Sequence, residues 1–388
     1  PYSQIPLSEN NSPEHAALAL KVAEESMVLL KNDALLPLNR AKIKRIAVIG
    51  PNADSVPMLV GNYNGNPSDP ITILAGIKDV AGTNVEVIYE PGCPLALFKN
   101  GSNKPDEKML ADAVTAAQSA DVVIYVGGIN ARLEGEENSR ANGYDGFLGG
   151  DRTKIELPSV QEDLLKALHE TGKPVVFVNC SGSAMAMPWE KENLPAILQA
   201  WYPGEQGGRA VAEILFGEAN PAGRLPVTFY RSTDDLPDFE NYSMANRTYR
   251  YFNGTPLFAF GHGLSYTKFD YRGAKLQSKK IAANGTVKIS FAIKNSGKFD
   301  GDEVAQVYFR HVNSAVPQPK LALCGFARVH LEHGKTAKLT IEIPAERLRY
   351  WDVNKKDYVV EPGKYELLVA AASDDIREKL PFQIAAAD

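Results

Sequence analysis

The chain has 388 residues, 44% of them hydrophobic and 23% charged, with a net charge of −5 at pH 7. That length leaves room for two or three domains, and the mild acidity gives no reason to expect a nucleic-acid partner or an acidic membrane surface. No apolar run approaches the roughly 18–20 residues that span a bilayer, and Cys93, Cys180 and Cys324 lie too far apart for a zinc or redox CxxC motif.

The three cysteines are expected to be buried, small, apolar side chains. The first residues, Pro1-Tyr-Ser-Gln-Ile-Pro-Leu, lack the basic start and apolar core of a secretory signal. A start at Pro rather than Met is expected of a fragment or a processed product. Ser12-Pro13-Glu14 reads as a helix start, with Ser as N-cap and Pro in the first turn. The helix is expected to run to about Lys31, with Leu18, Val22 and Leu29 on its apolar face.

From Lys44 short apolar runs alternate with amphipathic stretches. The runs are 45–49, 85–89, 122–126, 175–178 and 196–200; between them, 108–120 and 159–171 have helical spacing. This pattern predicts a largely parallel sheet with helices on both faces, an α/β sandwich over residues 1–230 that closes with a strand-like Leu225–Tyr230. Residues 231–271, rich in Asp, Pro, Asn, Gly and Tyr, predict a connector arm. From 272 to 388 the period becomes two, as in Val287, Ile289, Phe291 and Ile293, and again in Tyr365, Leu367 and Val369. Such alternation predicts an all-β sandwich of immunoglobulin or fibronectin type.

The stretch Gly127–Arg152 stands out. It leaves the apolar run 121–126, is bracketed by Gly127-Gly128 and Gly149-Gly150, and holds Glu134, Glu136, Glu137 and Asp145. Read on composition alone, the glutamates are a solvated charge cluster. Position argues for function, because ligands of open parallel sheets bind beyond the carboxyl ends of the strands. Long irregular loops in compact domains are commonly functional.

Other chemistries find little support. Ile49-Gly-Pro-Asn-Ala-Asp54 lacks the second and third glycines of a dinucleotide fingerprint, and no phosphate loop occurs. Ser181-Gly-Ser183 is not a GxSxG elbow and reads as a small-residue turn. His330 and His333 match no HExxH motif, and His262, between two glycines, reads as a packing or hydrogen-bonding residue.

Several segments together resemble glycoside hydrolase family 3: His15–Asn32, Ala47–Asn52, GGINARLEGEE, Gly150–Gln161, Trp201–Gly207, Gly223–Thr228 and Leu257–Thr267. Gly61-Asn-Tyr-Asn-Gly65 and the LEGEE form are most similar to the β-xylosidase branch. The resemblance covers nearly the whole chain and implies the C-terminal part of a retaining, exo-acting β-glycosidase. Its fold would be an α/β/α sandwich followed by a fibronectin-III-like domain, acting on an oligosaccharide without a cofactor or metal. Retention needs two carboxylates. The resemblance puts the general acid/base on Glu134, with Glu136 and Glu137 as alternates. It puts the nucleophile on a (β/α)8 barrel not matched here, expected in the same or another chain. A β-glucosidase, or a non-catalytic carbohydrate-binding or scaffolding module, are the alternatives. The resemblance is compatible with a periplasmic or secreted location, which the residues leave undetermined.

Overall fold

The computed structural model describes residues 2–135 and 142–386. Its contacts divide the chain into two compact units, Pro1–Gly223 with Tyr230–Asp234, and Arg224–Phe229 with Asp235–Asp388.

In the first unit the strands are β1 (Val28–Asn32), β2 (Arg45–Ile49), β3 (Glu86–Glu90), β4 (Val122–Gly128), a short pair β5 (Phe147–Leu148) and β6 (Asp151–Arg152), β7 (Val175–Cys180) and β8 (Ala196–Gln199). The helices are α1 (Pro13–Ser26), α2 (Val56–Leu59), α3 (Ile73–Ala81), α4 (Glu107–Ser119), α5 (Ser159–Glu170), α6 (Pro188–Asn193) and α7 (Gly207–Phe216). Six strands form one sheet in the order β1-β8-β7-β4-β2-β3. All neighbours pair in parallel except β1, which runs antiparallel to β8. Every residue of β4 and β7 is buried, as expected of central strands with helices on both faces. Each buried Val or Ile there stabilises the fold by about 1.5–3 kcal/mol relative to its exposed state.

Strand order fixes where a ligand can sit. The chain passes from β2 outward to β3, then returns on the other side of β2 to β4. Beyond the carboxyl ends of β2 and β4 the following loops therefore diverge and leave a crevice. The turn after β2 packs closely on β4: Gly50 has φ +126°, and a Cβ there would lie 2.2 Å from the Val126 carbonyl oxygen. Only glycine fits.

Three expectations are corrected. The first helix ends at Ser26, not Lys31, and Val28–Asn32 is an edge strand. Val28, Leu29 and Leu30 are consecutive buried residues, which a helix cannot place on one face but a strand docked in a covered sheet can. The apolar face expected of that helix is also wrong, since Leu18 and Val22 are more than half exposed and Ala23 is the residue turned inward. Leu225–Tyr230 is not a regular strand. It makes one isolated bridge, Phe229 with Phe258, and irregular bonds from 225 to 261–262. Pro226 lacks the N–H a ladder needs.

The second unit is a β-sandwich. One sheet has the order β10-β18-β17-β12-β13 and the other β14-β11-β9. Its strands are β9 (Phe269–Leu276), β10 (Lys280–Ile281), β11 (Thr286–Asn295), β12 (Gly301–Val312), β13 (Ala322–Leu331), β14 (Thr336–Pro344), β17 (Gly363–Ala372) and β18 (Asp375–Ile384), with a separate hairpin of β15 (Tyr350–Asp352) and β16 (Asp357–Val359). Val287, Ile289, Phe291 and Ile293 of β11 meet Tyr365, Leu367 and Val369 of β17 in one core, as the period-two pattern requires. All three cysteines are buried and free.

Glu190 in α6 is fully buried. Among the described residues neither of its oxygens meets a hydrogen-bond partner on another residue. Burial pushes its carboxyl up to about 7 from 4.5; its own N–H and Lys166 oppose the rise and Glu162 adds to it. The folded state therefore holds this proton more tightly than the unfolded one, so stability is full below about 4.5 and falls as pH rises toward 7. The loss is on the order of 3 kcal/mol. Glu190→Gln should flatten that part of the stability–pH curve, measured by urea unfolding at pH 4.5 and pH 8. An unchanged slope would show that Glu190 does not titrate there.

Candidate active site

The loop after β4 is held at its base by buried polar groups. Gln161 of α5 accepts from Gly128 N–H (2.8 Å) and donates to the Gly128 carbonyl (2.7 Å) and the Leu95 carbonyl (2.6 Å). Asn52, after β2, donates to the carbonyls of Gly127 (3.0 Å) and Ile129 (3.2 Å). Asn130 then starts a single turn. Its side-chain oxygen accepts from the Arg132 and Leu133 amides, and its carbonyl accepts from Glu134 N–H at 3.0 Å. This turn fixes where the Glu134 side chain leaves the backbone.

Glu134 is half-buried, and three donors meet its carboxylate. Gly182 N–H (2.8 Å) and the Tyr202 hydroxyl (2.6 Å) donate to Oε2, and the Ser183 hydroxyl donates to Oε1. Arg152 donates to Ser183 Oγ (3.0 Å) and to the Ala184 carbonyl (2.9 Å), which brings a guanidinium next to the cluster. Burial pushes the Tyr202 phenol well above its usual range, and the charge of Glu134 adds to that, so Tyr202 stays a donor. Burial lowers the Arg152 guanidinium somewhat, opposed first by Glu134. Donors to a carboxylate are charge-assisted and about twice as strong as neutral pairs.

Ser181-Gly-Ser183 thus has a use that its composition did not reveal. A Cβ on Gly182 would lie 2.8 Å from Glu134 Oε2 and 2.8 Å from a Tyr202 ring carbon. The small-residue turn is required by what approaches it, a carboxylate and a phenol. Tyr202 and Arg152 were also missed, since a lone Tyr and a lone Arg give no spacing to read.

Asp145 pairs with Lys154 at 3.2 Å on the surface and is away from this cluster. Glu136 and Glu137 lie outside the described residues. His330 bonds Asp302 and His333 bonds the Gly297 carbonyl, while His262 stacks on Phe258 with ring centres 5.4 Å apart. Among the described residues, no group of three or more His, Cys, Asp or Glu could hold a metal ion.

Two clefts flank the turn. One, of about 370 Å³, is lined by Gly61, Asn62, Tyr63, Asn64, Ala131 and Arg132. It opens between the loops that follow β2 and β4, which is the crevice that the strand order predicts. Asn62 donates to the Glu134 carbonyl at 3.0 Å and ties the two loops together. The other cleft, of about 310 Å³, includes Leu95, Asn103, Asn130, Arg132 and Tyr144. Asn130–Arg132 is the ridge between them.

Comparison with known proteins identifies the scaffold. A model of the glycosyl hydrolase family 3 C-terminal domain matches residues 27–266. The chain belongs to glycoside hydrolase family 3. A fibronectin type III-like domain model matches residues 303–373. Family 3 relatives include a xylan 1,4-β-xylosidase of Xylanibacter ruminicola, 32% identical over 96% of this chain and 58% of that protein. A β-xylosidase of Formosa agariphila is 37% identical over 95% and 50%, and a periplasmic β-glucosidase of Salmonella typhimurium is 33% identical over 97% and 52%. Among solved structures, a GH3 exo-β-xylosidase in complex with a xylobiose aziridine probe is 29% identical, with a TM-score of 0.85, covering 100% of this chain and 50% of that one. The chain spans about half the length of the curated relatives it matches and corresponds to the C-terminal part of such glycoside hydrolases.

Removing the phenol hydroxyl with Tyr202→Phe takes one charge-assisted donor from Glu134. Amide exchange across 129–135 should quicken by about tenfold or more, read by hydrogen-exchange mass spectrometry on the 388-residue chain. Unchanged protection would mean that the carboxylate does not anchor the turn.

Proposed function

We propose that this chain supplies the general acid/base half of a retaining β-glycosidase site, with Glu134 in that role. Its substrate would be the terminal β-xylosyl residue at the non-reducing end of xylo-oligosaccharides. The observation that carries the reading is the place of Glu134 beyond the carboxyl end of β4, on the loop that borders the crevice where strand order reverses, with its backbone carbonyl tied across to Asn62. It adjoins a cleft lined by the amides of Asn62 and Asn64 and by Tyr63, which is 92% exposed. Amide groups and an open aromatic ring suit the hydroxyls and C–H faces of a sugar.

In the reaction a carboxylate nucleophile attacks the anomeric carbon while Glu134 gives its proton to the departing glycosidic oxygen. Glu134, now ionised, takes a proton from water, and the hydroxide so generated releases the sugar from the nucleophile. The nucleophile would come from a (β/α)8 barrel in the same or another chain. Within the family, β-glucosidase is the nearest alternative.

A second reading is favoured by the three donors on Glu134. A carboxylate so fully engaged is well made for anchoring the loop, and the proton would then be carried by Glu136 or Glu137.

Kinetics separate these readings. The chain alone should not turn over an aryl β-xyloside, and joining it to a family 3 barrel should produce turnover. In that protein Glu134→Gln should lower kcat/KM for xylobiose about 10²–10⁴-fold. The loss should be smaller with a dinitrophenyl leaving group, and azide should restore turnover as xylosyl azide. If Glu136→Gln or Glu137→Gln gives this signature and Glu134→Gln does not, the anchoring reading replaces the first. Turnover by the chain alone would overturn the half-site proposal.

A further inference from the structure

The β-sandwich carries a surface for which the catalytic reading has no use. In the β15–β16 hairpin, Trp351 and Tyr358 are direct cross-strand partners, so both rings stand on one face. They meet edge to face with centres 5.2 Å apart. The Arg349 guanidinium lies over the Tyr358 ring, 4.6 Å from its centre. These rings are not core residues: Trp351 is 50% exposed, Tyr358 55% and Phe326 of β13 66%. Exposed aromatic groups clustered in this way mark interaction sites more often than chance placement.

Beside the hairpin lies a cleft of about 410 Å³ lined by Cys324, Phe326, Glu346, Arg347, Arg349 and Tyr358. That volume is in the range of small-ligand sites, about 300–1,000 Å³; a protein partner would instead cover a broad, flat area. Arg347 gives one N–H to the Cys324 carbonyl (3.0 Å) and Arg349 one to Glu346 at 3.5 Å. A guanidinium has five donors, so much of each fork remains for a ligand. Two arginines against one glutamate make the cleft cationic in a chain of net charge −5.

We propose that this cleft and hairpin bind a polysaccharide chain carrying uronic-acid carboxylates. Sugar rings would lay their C–H faces on Trp351 and Phe326, whose ring faces are electron-rich. A uronate carboxylate would pair with the planar forks of Arg349 and Arg347, a geometry that lysine does not offer. Such a site would hold the protein on an acidic glycan whichever glutamate performs catalysis, and it stands whether or not the half-site proposal does.

Affinity electrophoresis of the 388-residue chain tests this, with three gels containing glucuronoxylan, the same polymer after carboxyl reduction, and unsubstituted linear xylan. Retardation should be strong in the first and at least tenfold weaker in the other two, and should fall with added salt. Trp351→Ala and Arg349→Ala should each weaken it by about tenfold or more. Arg349→Lys should restore little. Both altered residues are exposed, and matching thermal melts would show that the fold is intact. Equal retardation in all three gels would overturn the uronate assignment. Absent retardation, or retention unaffected by Trp351→Ala, would overturn the site. Concentration-dependent self-association lost in Trp351→Ala, without glycan retention, would assign the surface to a second copy of the chain and overturn the proposal.

Discussion

Three donors from two separate segments converge on the carboxylate of Glu134: the Gly182 amide, the Ser183 hydroxyl and the Tyr202 phenol. The geometry of the crevice depends on this convergence. The loop after β4 leaves a rigid strand, makes one turn at Asn130, and is then held by its glutamate against the segment after β7. Asn62 adds a second hold on the turn's outer end, reaching the Glu134 carbonyl from the loop after β2. A carboxylate with so many donors is stable where it is, and it can leave for another partner only if that partner offers comparable bonds.

The sheet makes this placement reproducible. β4 sits between β2 and β7, fully buried, with Gly50 allowing the turn after β2 to pack against the Val126 carbonyl. Gln161 and Asn52 satisfy the backbone groups that the end of β4 would otherwise leave buried and unpaired. Each such group would cost about 1–3 kcal/mol if left without a partner. The polar network is therefore part of the scaffold, and the crevice inherits its rigidity. Functional groups held on rigid elements need less reorganisation during reaction.

Much of this was legible in the sequence, for identifiable reasons. Near-continuous apolar runs such as 122–126 announce central parallel strands, and strict alternation in 287–293 announces a half-buried strand, because burial on two faces or one writes a different period. The end of α1 was misread because Val28–Leu30 continues an apolar pattern that a helix could share. Only the docking of those residues beside β8 distinguishes the two. The glycine brackets around 127–152 pointed to the loop. The partners of Glu134 did not stand out, because Gly182, Ser183, Tyr202 and Arg152 are brought to it by the order of strands and not by spacing along the chain. Tertiary convergence of single residues leaves no local signal.

The family assignment accounts for the architecture, and the chain spans about half the length of the relatives it matches. What decides the catalytic reading is where the Glu134 carboxylate lies when a sugar is bound. The direct measurement is a crystal structure of this chain joined to a family 3 barrel, with a 2-fluoroxylosyl residue trapped on the nucleophile. If Glu134 is the acid/base, its carboxylate will have left at least one of its present donors and will stand about 5–5.5 Å from the nucleophile. If it is still bonded to Gly182, Ser183 and Tyr202 while another glutamate occupies that position, Glu134 is an anchor and its assignment as proton donor is wrong.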